Sequence, residues 1–354
     1  MSTVTPTPVP APRRVYRMCL ESDLYIRVQN GTDSEDFLAS SQVLKKTSRY
    51  FAALLSPRWS DRASYTADDP LVLNEDEPHL MRAFLGIVHG LRPLPPRLWP
   101  VLQLKGLEDL TKVFDKYMYD GPVPAWLSFI LESFLLPDNF VQHPIQTTIT
   151  MASTKKIVSV LVMATILNLP HIFCRASRQL MWVAPPSLLQ ECLKDEVKGL
   201  MPQFQSECQR MRSFLVTKLP NLLFPDPHGT NHWWCDKCAA VSHPERWASE
   251  IITKSDLWQL DQEGEGKCVY SIGALVLSWV KKMSELDRFR EMDDAKLPPF
   301  PCGRFRLRYA DITPQEIVFD LYKAMGGLCL ACYREGVYKY DVFCPKHQVS
   351  LVVK

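Results

Sequence analysis

Two features that mark common classes of protein are missing from this sequence. The chain has 354 residues, and its 41 Lys and Arg nearly balance its 39 Asp and Glu, which leaves a formal charge of +2. This balance excludes both the strongly basic composition of chains that coat nucleic acid and the acidity of charged tails. The longest apolar stretch, residues 157–169, is shorter than the roughly 20 residues that span a bilayer. We therefore expect a chain without a membrane span.

Sequence motifs of the common enzyme classes are missing too. The chain contains neither the G-x-S-x-G turn of esterases nor the H-E-x-x-H helix of zinc proteases. Residues 264–267 resemble the end of a phosphate-binding loop, but Asp261 stands where its first glycine belongs and Cys268 replaces its Ser or Thr. The sequence therefore predicts a protein that is not an enzyme.

What the chain does contain is cysteine, eleven of them. Its first twelve residues are rich in proline and threonine and lack the apolar core of a secretory signal. We therefore expect an intracellular protein of the cytoplasm or nucleus, in which thiols stay reduced. In that setting a pair of cysteines two residues apart indicates metal binding or redox chemistry more often than a disulfide.

Four residues of the types that bind zinc lie close together near the C-terminus. Cys329 and Cys332 form a C-x2-C pair, and Cys344 and His347 form a C-x2-H pair after eleven intervening residues. Zinc prefers four thiolate or imidazole ligands in a tetrahedron. The intervening residues have the length and the strand-favouring composition of a hairpin, which would bring the two pairs together. The sequence therefore predicts a closed, structural zinc site.

A second C-x2-C pair, Cys235 and Cys238, lies in a segment that also contains histidines. A nearby histidine or a more distant cysteine would complete this site. In an alternative grouping, Cys235 and Cys238 share one ion with Cys329 and Cys332. A redox interpretation lacks the strand and helix that flank a redox-active CxxC motif.

The first third of the chain has the patterns of a mixed sheet and helices. Apolar residues alternate at the first strand, Asn-Gly marks a hairpin turn, and apolar faces recur at helical spacing. The predicted elements are, in order, a strand at 24–28, a turn at Asn30-Gly31, a returning strand at 36–39, a helix at 41–55, a strand at 71–73, and helices at 80–88 and 104–117.

These segments resemble the BTB/POZ family. Residues 37–55 resemble its signature, in which a helix of pattern vL…S.yF..ml follows the second strand. Residues 71–78 resemble the family's strand-to-helix step, 81–90 the fungal form of the next helix, and 107–117 the helix ending in A.KY. With its late GLCLACY segment at 327–333, the chain is similar to the BTB-domain proteins of filamentous fungi.

The resemblance implies a non-catalytic protein that binds other proteins. Family members that bind the cullin-type scaffold of ubiquitin ligases carry an apolar-x-Glu motif after the signature helix. Trp59-Ser60-Asp61 stands at the matching positions, with Asp in place of Glu. The resemblance thus implies that Trp59 and Asp61 bind a partner and that the chain is a substrate adaptor. No long helix precedes Ser22, so it does not imply an obligate homodimer.

Together these observations predict an α+β chain with four parts. They are a disordered Pro-rich tail at 1–19, a BTB/POZ-like α/β domain at 20–122, a mainly helical region at 123–224 and a small Cys/His-rich, zinc-stabilised module at 225–354.

Two other functions stay open. Arg304, Arg306 and Arg308 alternate with apolar residues and would give a strand one basic face. With a zinc-stabilised module, that face would suit a nuclear regulator that contacts nucleic acid, although the near-neutral charge of the chain disfavours it. A zinc site with an open coordination position near His232 would instead suit a hydrolase.

Overall fold

The computed structural model describes residues 14–57, 65–91, 103–136 and 151–184, together with shorter segments and single residues between 186 and 350. The chain divides into two compact units, residues 1–130 and 131–354. No helix among these described residues has the length and apolarity needed to cross a membrane.

The first unit combines a four-stranded sheet with helices. Its elements are β1 (Val15–Arg17), β2 (Leu24–Asn30), β3 (Asp33–Ala39), α1 (Ser41–Thr47), α2 (Arg49–Leu54), β4 (Leu71–Asn74), α3 (Pro78–Val88) and α4 (Leu104–Lys116). Helix α5 (Ala125–Ser133) follows and crosses the boundary between the units.

The strand order in this sheet is β1-β3-β2-β4. Strands β2 and β3 form the predicted antiparallel hairpin, and Gly31 makes its turn with a φ of +58°, a conformation that favours glycine. Strand β4 lies parallel to β2, and the connection between them contains α1 and α2. Leu24, Ile26 and Val28 are buried on one face of β2, as their alternation predicts.

The predicted tail at residues 1–19 is wrong at its end, because Val15–Arg17 forms β1. This strand pairs in parallel with β3. The backbone N–H of Met18 donates to the carbonyl of Leu38 at 2.8 Å, and the Met18 side chain is buried. An unpaired strand edge offers N–H and C=O groups that can form hydrogen bonds with another extended segment. Strand β3 offers such an edge to Val15–Arg17.

The single helix predicted at 41–55 is also wrong, because Ser48 divides it into α1 and α2. Ser48 has extended backbone angles (φ −143°, ψ 121°) and caps the start of α2. Its Oγ accepts a hydrogen bond from Phe51 N at 3.2 Å and donates one to Tyr117 O at 2.5 Å. A serine that caps a helix competes with continuation of the preceding helix.

Aromatic rings fill the space between α2, α3 and α4. Phe84 of α3 is fully buried, and its ring centroid lies 5.2 Å from that of Phe114 and 5.5 Å from that of Tyr117. The Tyr117 hydroxyl donates to the buried carboxylate of Asp76 at 2.6 Å, and the Lys116 ammonium donates to the same carboxylate at 2.7 Å. Burial and this hydrogen bond raise the pKa of Tyr117.

The imidazole of His89 ties the end of α3 to the start of α1. Its Nε2 accepts a hydrogen bond from Ser40 N at 3.0 Å, and its Nδ1 lies 2.8 Å from the carbonyl of Leu85. These partners fit a neutral ring protonated on Nδ1, since a carbonyl can only accept. Burial lowers the pKa of His89 below its usual value.

We expect the free energy of unfolding to fall as the pH drops below about 6.5, the ordinary histidine pKa. The unfolded chain takes up the proton there, whereas folded His89 resists it, so acid favours unfolding. Urea denaturation between pH 7.5 and 5.5 measures this loss. His89→Gln should show a smaller pH dependence, and the exposed-site control His79→Gln should keep it. Equal slopes for both variants would contradict the role assigned to His89.

The described residues of the second unit between 151 and 200 are mostly helical. It contains α6 (Met151–Ile166), α7 (Pro170–Val183), α8 (Pro186–Cys192), a 3-10 helix (Asp195–Leu200), α9 (Leu330–Arg334), β5 (Phe343–Cys344) and β6 (Val349–Ser350). Helix α7 is nearly enclosed, with Arg178 and Gln179 buried among its apolar residues. The Gln179 amide exchanges two hydrogen bonds with the backbone of Leu136, at 2.9 and 2.7 Å.

Candidate metal centre

Three of the predicted zinc ligands lie together in the second unit. The Sγ atoms of Cys329, Cys332 and Cys344 all lie within 4.8 Å of one another, and the three residues are buried. The Cys332 and Cys344 sulfurs are 3.5 Å apart. Two sulfurs bound to zinc at about 2.3 Å in a tetrahedron lie about 3.8 Å apart. The three thiols are therefore spaced to hold one metal ion.

Local structure brings the first two thiols to one side of a helical turn. Cys329 is the N-cap of α9, and the Tyr333 N–H donates to its carbonyl at 3.0 Å. Residues three apart on a helix lie on the same face, so Cys329 and Cys332 point the same way. Helix α9 ends at Arg334, and residues 337–342, which make up most of the predicted hairpin, lie outside the described residues. Strand β5, which ends at Cys344, pairs with β6 beyond it.

The environment of Cys332 favours its protonated thiol over the thiolate. Burial, followed by the hydrogen bond with Cys344, raises the pKa of the Cys332 thiol well above its usual value. Zinc binds thiolates, so loading the centre releases protons and becomes weaker as the pH falls. The arrangement thus suits metal binding rather than a reactive thiolate, which needs a lowered pKa.

A fourth cysteine, Cys174 of α7, belongs to the same buried cluster. The sequence predicts Cys174 as a buried, small apolar residue of a helix, and its burial is confirmed. Its place beside the three clustered thiols was not predicted. Because it is far from them in the chain, no spacing pattern connects it to Cys329, and only the tertiary fold brings it close. Burial raises the pKa of Cys174 to about 11.

Contacts with α6 and α7 hold the segment that carries Cys329 and Cys332. Leu328 N donates to Ser177 Oγ at 2.9 Å, and Ser177 Oγ donates to the carbonyl of Cys174, also at 2.9 Å. The rings of Phe173 and Tyr333 stack with centroids 5.5 Å apart. In addition, the guanidinium of Arg334 donates to the carbonyl of Thr165 at 2.6 Å. The segment that carries Cys329 and Cys332 is therefore packed against α6 and α7, and these contacts fix its position.

Gly327→Ala is expected to destabilise the folded chain by about 1–3 kcal/mol, the usual cost of overpacking. A Cβ at Gly327 would overlap the carbonyl oxygen and the sulfur of Cys174. Urea denaturation measures the effect. Gly199→Ala is the matched control, because a Cβ there meets nothing within 4 Å. If the two variants were equally stable, the close approach at Gly327 would be refuted.

The remaining predicted site residues lie outside the described residues. They are the metal-ligand candidates His347, Cys235 and Cys238, the partner-binding candidates Trp59 and Asp61, and the basic strip at 304–308. Of the predicted metal ligands, the structure therefore brings together Cys329, Cys332 and Cys344.

No protein-family model, curated protein or solved structure matches the chain. In the described residues, a mixed α and β fold with a four-stranded sheet precedes a cluster of three cysteines that can hold a metal ion.

Proposed function

We propose that this chain is a non-catalytic protein that binds other proteins through a BTB/POZ-type N-terminal unit and carries a structural zinc ion near its C-terminus. The order of elements in the first unit supports the proposal of a BTB/POZ-type unit. A hairpin (β2, β3) is followed by a helix pair (α1, α2), a strand parallel to β2 (β4) and two helices (α3, α4). This is the order in which the sequence segments that resemble the family occur.

The chemistry of the donors supports zinc as the ion. The described ligands of the cluster are thiols, and soft thiolates select zinc over the hard cations magnesium and calcium. All three are buried, which suits a structural site better than a catalytic one open to water. One further thiolate or imidazole completes the tetrahedron, and the sequence spacing proposes His347. Cys235 and Cys238 are candidates for a second ion or for shared ligation.

The partner that the family resemblance proposes is the cullin-type scaffold of a ubiquitin ligase, which would make the chain a substrate adaptor. Trp59 and Asp61 come soon after α2, which ends at Leu54. A tryptophan and an acidic residue suit such a contact, because buried aromatic anchors dominate binding energy and charges improve specificity.

A pull-down of the full chain against a purified cullin-type scaffold tests the adaptor role. We expect the chain to bind, and the variant Trp59→Ala/Asp61→Ala to lose binding. The control Phe129→Ala/Asp68→Ala removes an aromatic and an acidic residue that are both exposed, and should bind normally. No binding by the unsubstituted chain, or equal binding by all three proteins, would overturn the adaptor role.

A further inference from the structure

The cluster around the candidate metal centre consists of four cysteines, one more than the three thiols that lie within 4.8 Å of one another. The fourth, Cys174, is 4 % exposed, and Ala331 packs against the cluster. A closed tetrahedral zinc site takes four ligands, and four thiolates are a common set. Cys174 is thus a second candidate for the position for which the sequence spacing proposes His347.

The backbone just before Cys329 lies directly against Cys174. Gly327 has no room for a Cβ there, because that atom would overlap the sulfur and the carbonyl oxygen of Cys174. The Gly327 N–H donates a hydrogen bond to the Cys174 sulfur. A hydrogen bond from a backbone N–H favours the charged form of its acceptor. Burial outweighs this effect and keeps the pKa of the Cys174 thiol raised. What these contacts establish is position, since they hold the Cys174 sulfur against the backbone that leads into Cys329.

A buried positive charge lies one turn from Cys174 on the same helix. Arg178 follows Cys174 by one turn of α7 and is 2 % exposed. Its guanidinium carbon lies 4.7 Å from the centre of the Tyr322 ring, and its Nε has no hydrogen-bond partner among the described residues. The charge of Arg178 acts on the Cys174 sulfur.

The negative charge of a zinc-bound thiolate cluster would account for the buried guanidinium of Arg178 beside Cys174. The Nε of Arg178 lacks a hydrogen-bond partner among the described residues, and a buried guanidinium is stabilised by negative charge close to it. Zinc with four thiolates carries two negative charges. A metal-bound Cys174 would place part of that negative charge next to Arg178.

We propose that Cys174, rather than His347, supplies the fourth ligand of the metal centre. This inference depends on the proposed zinc site. Binding draws the Cys174 sulfur toward those of Cys329, Cys332 and Cys344 and fastens the C-terminal segment to α7. The zinc ion is then a crosslink within the second unit, joining residues that are distant in the chain.

X-ray absorption at the zinc edge tests the ligand set directly. The sample is the full chain carrying Cys235→Ser/Cys238→Ser, which removes the second C-x2-C pair and leaves Cys174 unaltered. We expect one zinc per chain with four sulfur neighbours at about 2.3 Å. Three sulfurs and one nitrogen would overturn the inference in favour of His347. Loss of the zinc in this background would overturn it in favour of shared ligation by Cys235 and Cys238.

Zinc affinity by chelator competition provides a second test. Cys174→Ser should raise the dissociation constant more than about 100-fold, beyond the effect of losing an outer-shell contact. The matched control Cys192→Ser, at a buried cysteine of α8 outside the cluster, should leave it unchanged, as should His347→Ala. Tight binding by Cys174→Ser would overturn the inference while leaving the zinc site intact, whereas no zinc on the unsubstituted chain would overturn the zinc site itself.

Discussion

Cys332→Ser is expected to abolish metal binding at the cysteine cluster and to lower the free energy of unfolding of the second unit by several kcal/mol. Cys332 is 3 % exposed, and its sulfur lies 3.5 Å from that of Cys344. In small zinc sites the metal contributes on the order of 10 kcal/mol to folding, and the loss of one thiolate removes most of that contribution. Calorimetric unfolding of the full chain, with and without a zinc chelator, measures it.

The control for this variant is Cys192→Ser, which makes the same chemical change at another buried cysteine. It should cost about 1–3 kcal/mol, the penalty for a buried hydroxyl without a good partner, and its stability should still fall when the chelator is added. Cys332→Ser should lose much less stability on chelation than the unsubstituted chain. Two variants of equal stability, both insensitive to chelation, would show that the cysteine cluster holds no stabilising metal.

Phe84→Ala is expected to destabilise the first unit by about 3–5 kcal/mol. The ring is fully buried and contacts the rings of Phe114, Tyr117 and Tyr119, with centroids between 5.2 and 6.1 Å apart. Its removal leaves a cavity where α3 packs against α4, and the geometry-dependent attraction between aromatic rings is lost as well. Urea denaturation of the full chain, with a tyrosine-sensitive signal, measures the change.

Phe129→Ala is the matched control for Phe84→Ala, because Phe129 lies in α5 with 74 % of its surface exposed. A surface substitution of this kind changes stability by less than about 0.5 kcal/mol. If Phe84→Ala were as stable as this control, the aromatic cluster would not be the core of the first unit. The proposed BTB/POZ-type arrangement of α2, α3 and α4 would then lose its structural basis.

Local patterns predicted the elements whose structure depends on neighbouring residues. Alternating apolar residues and Asn30-Gly31 predicted the β2-β3 hairpin, because a hairpin turn and a half-buried strand both have short sequence signals. Likewise, apolar residues at helical spacing predicted a helix at 80–88, and α3 spans Pro78–Val88. These signals act over a few residues and do not need a partner elsewhere in the chain.

Features that depend on distant partners were not predicted. Ser48 ends α1 because its hydroxyl bonds with the backbone of Phe51 and Tyr117, and Tyr117 is far along the chain. Strand β1 forms because β3 offers it a parallel edge, although the proline-rich sequence before it indicates a tail. In both places a tertiary contact overrides the local preference.

The candidate metal centre also combines residues that local spacing predicted with one that only the tertiary fold reveals. The C-x2-C spacing of Cys329 and Cys332 is a local signal, and Cys344 follows at a distance typical of zinc ligands. By contrast, Cys174 has no spacing relation to them. The contact between α7 and the Gly327 backbone, which brings Cys174 into the cluster, is visible only in the folded chain.

The metal content of the purified full chain tests the central claim most directly. Inductively coupled plasma mass spectrometry of protein prepared without added metal counts zinc per chain, and Cys332→Ser serves as the comparison. The account predicts at least one zinc per unsubstituted chain and one fewer in Cys332→Ser. A chain that carries no zinc, or a variant that carries as much as the unsubstituted chain, would contradict it.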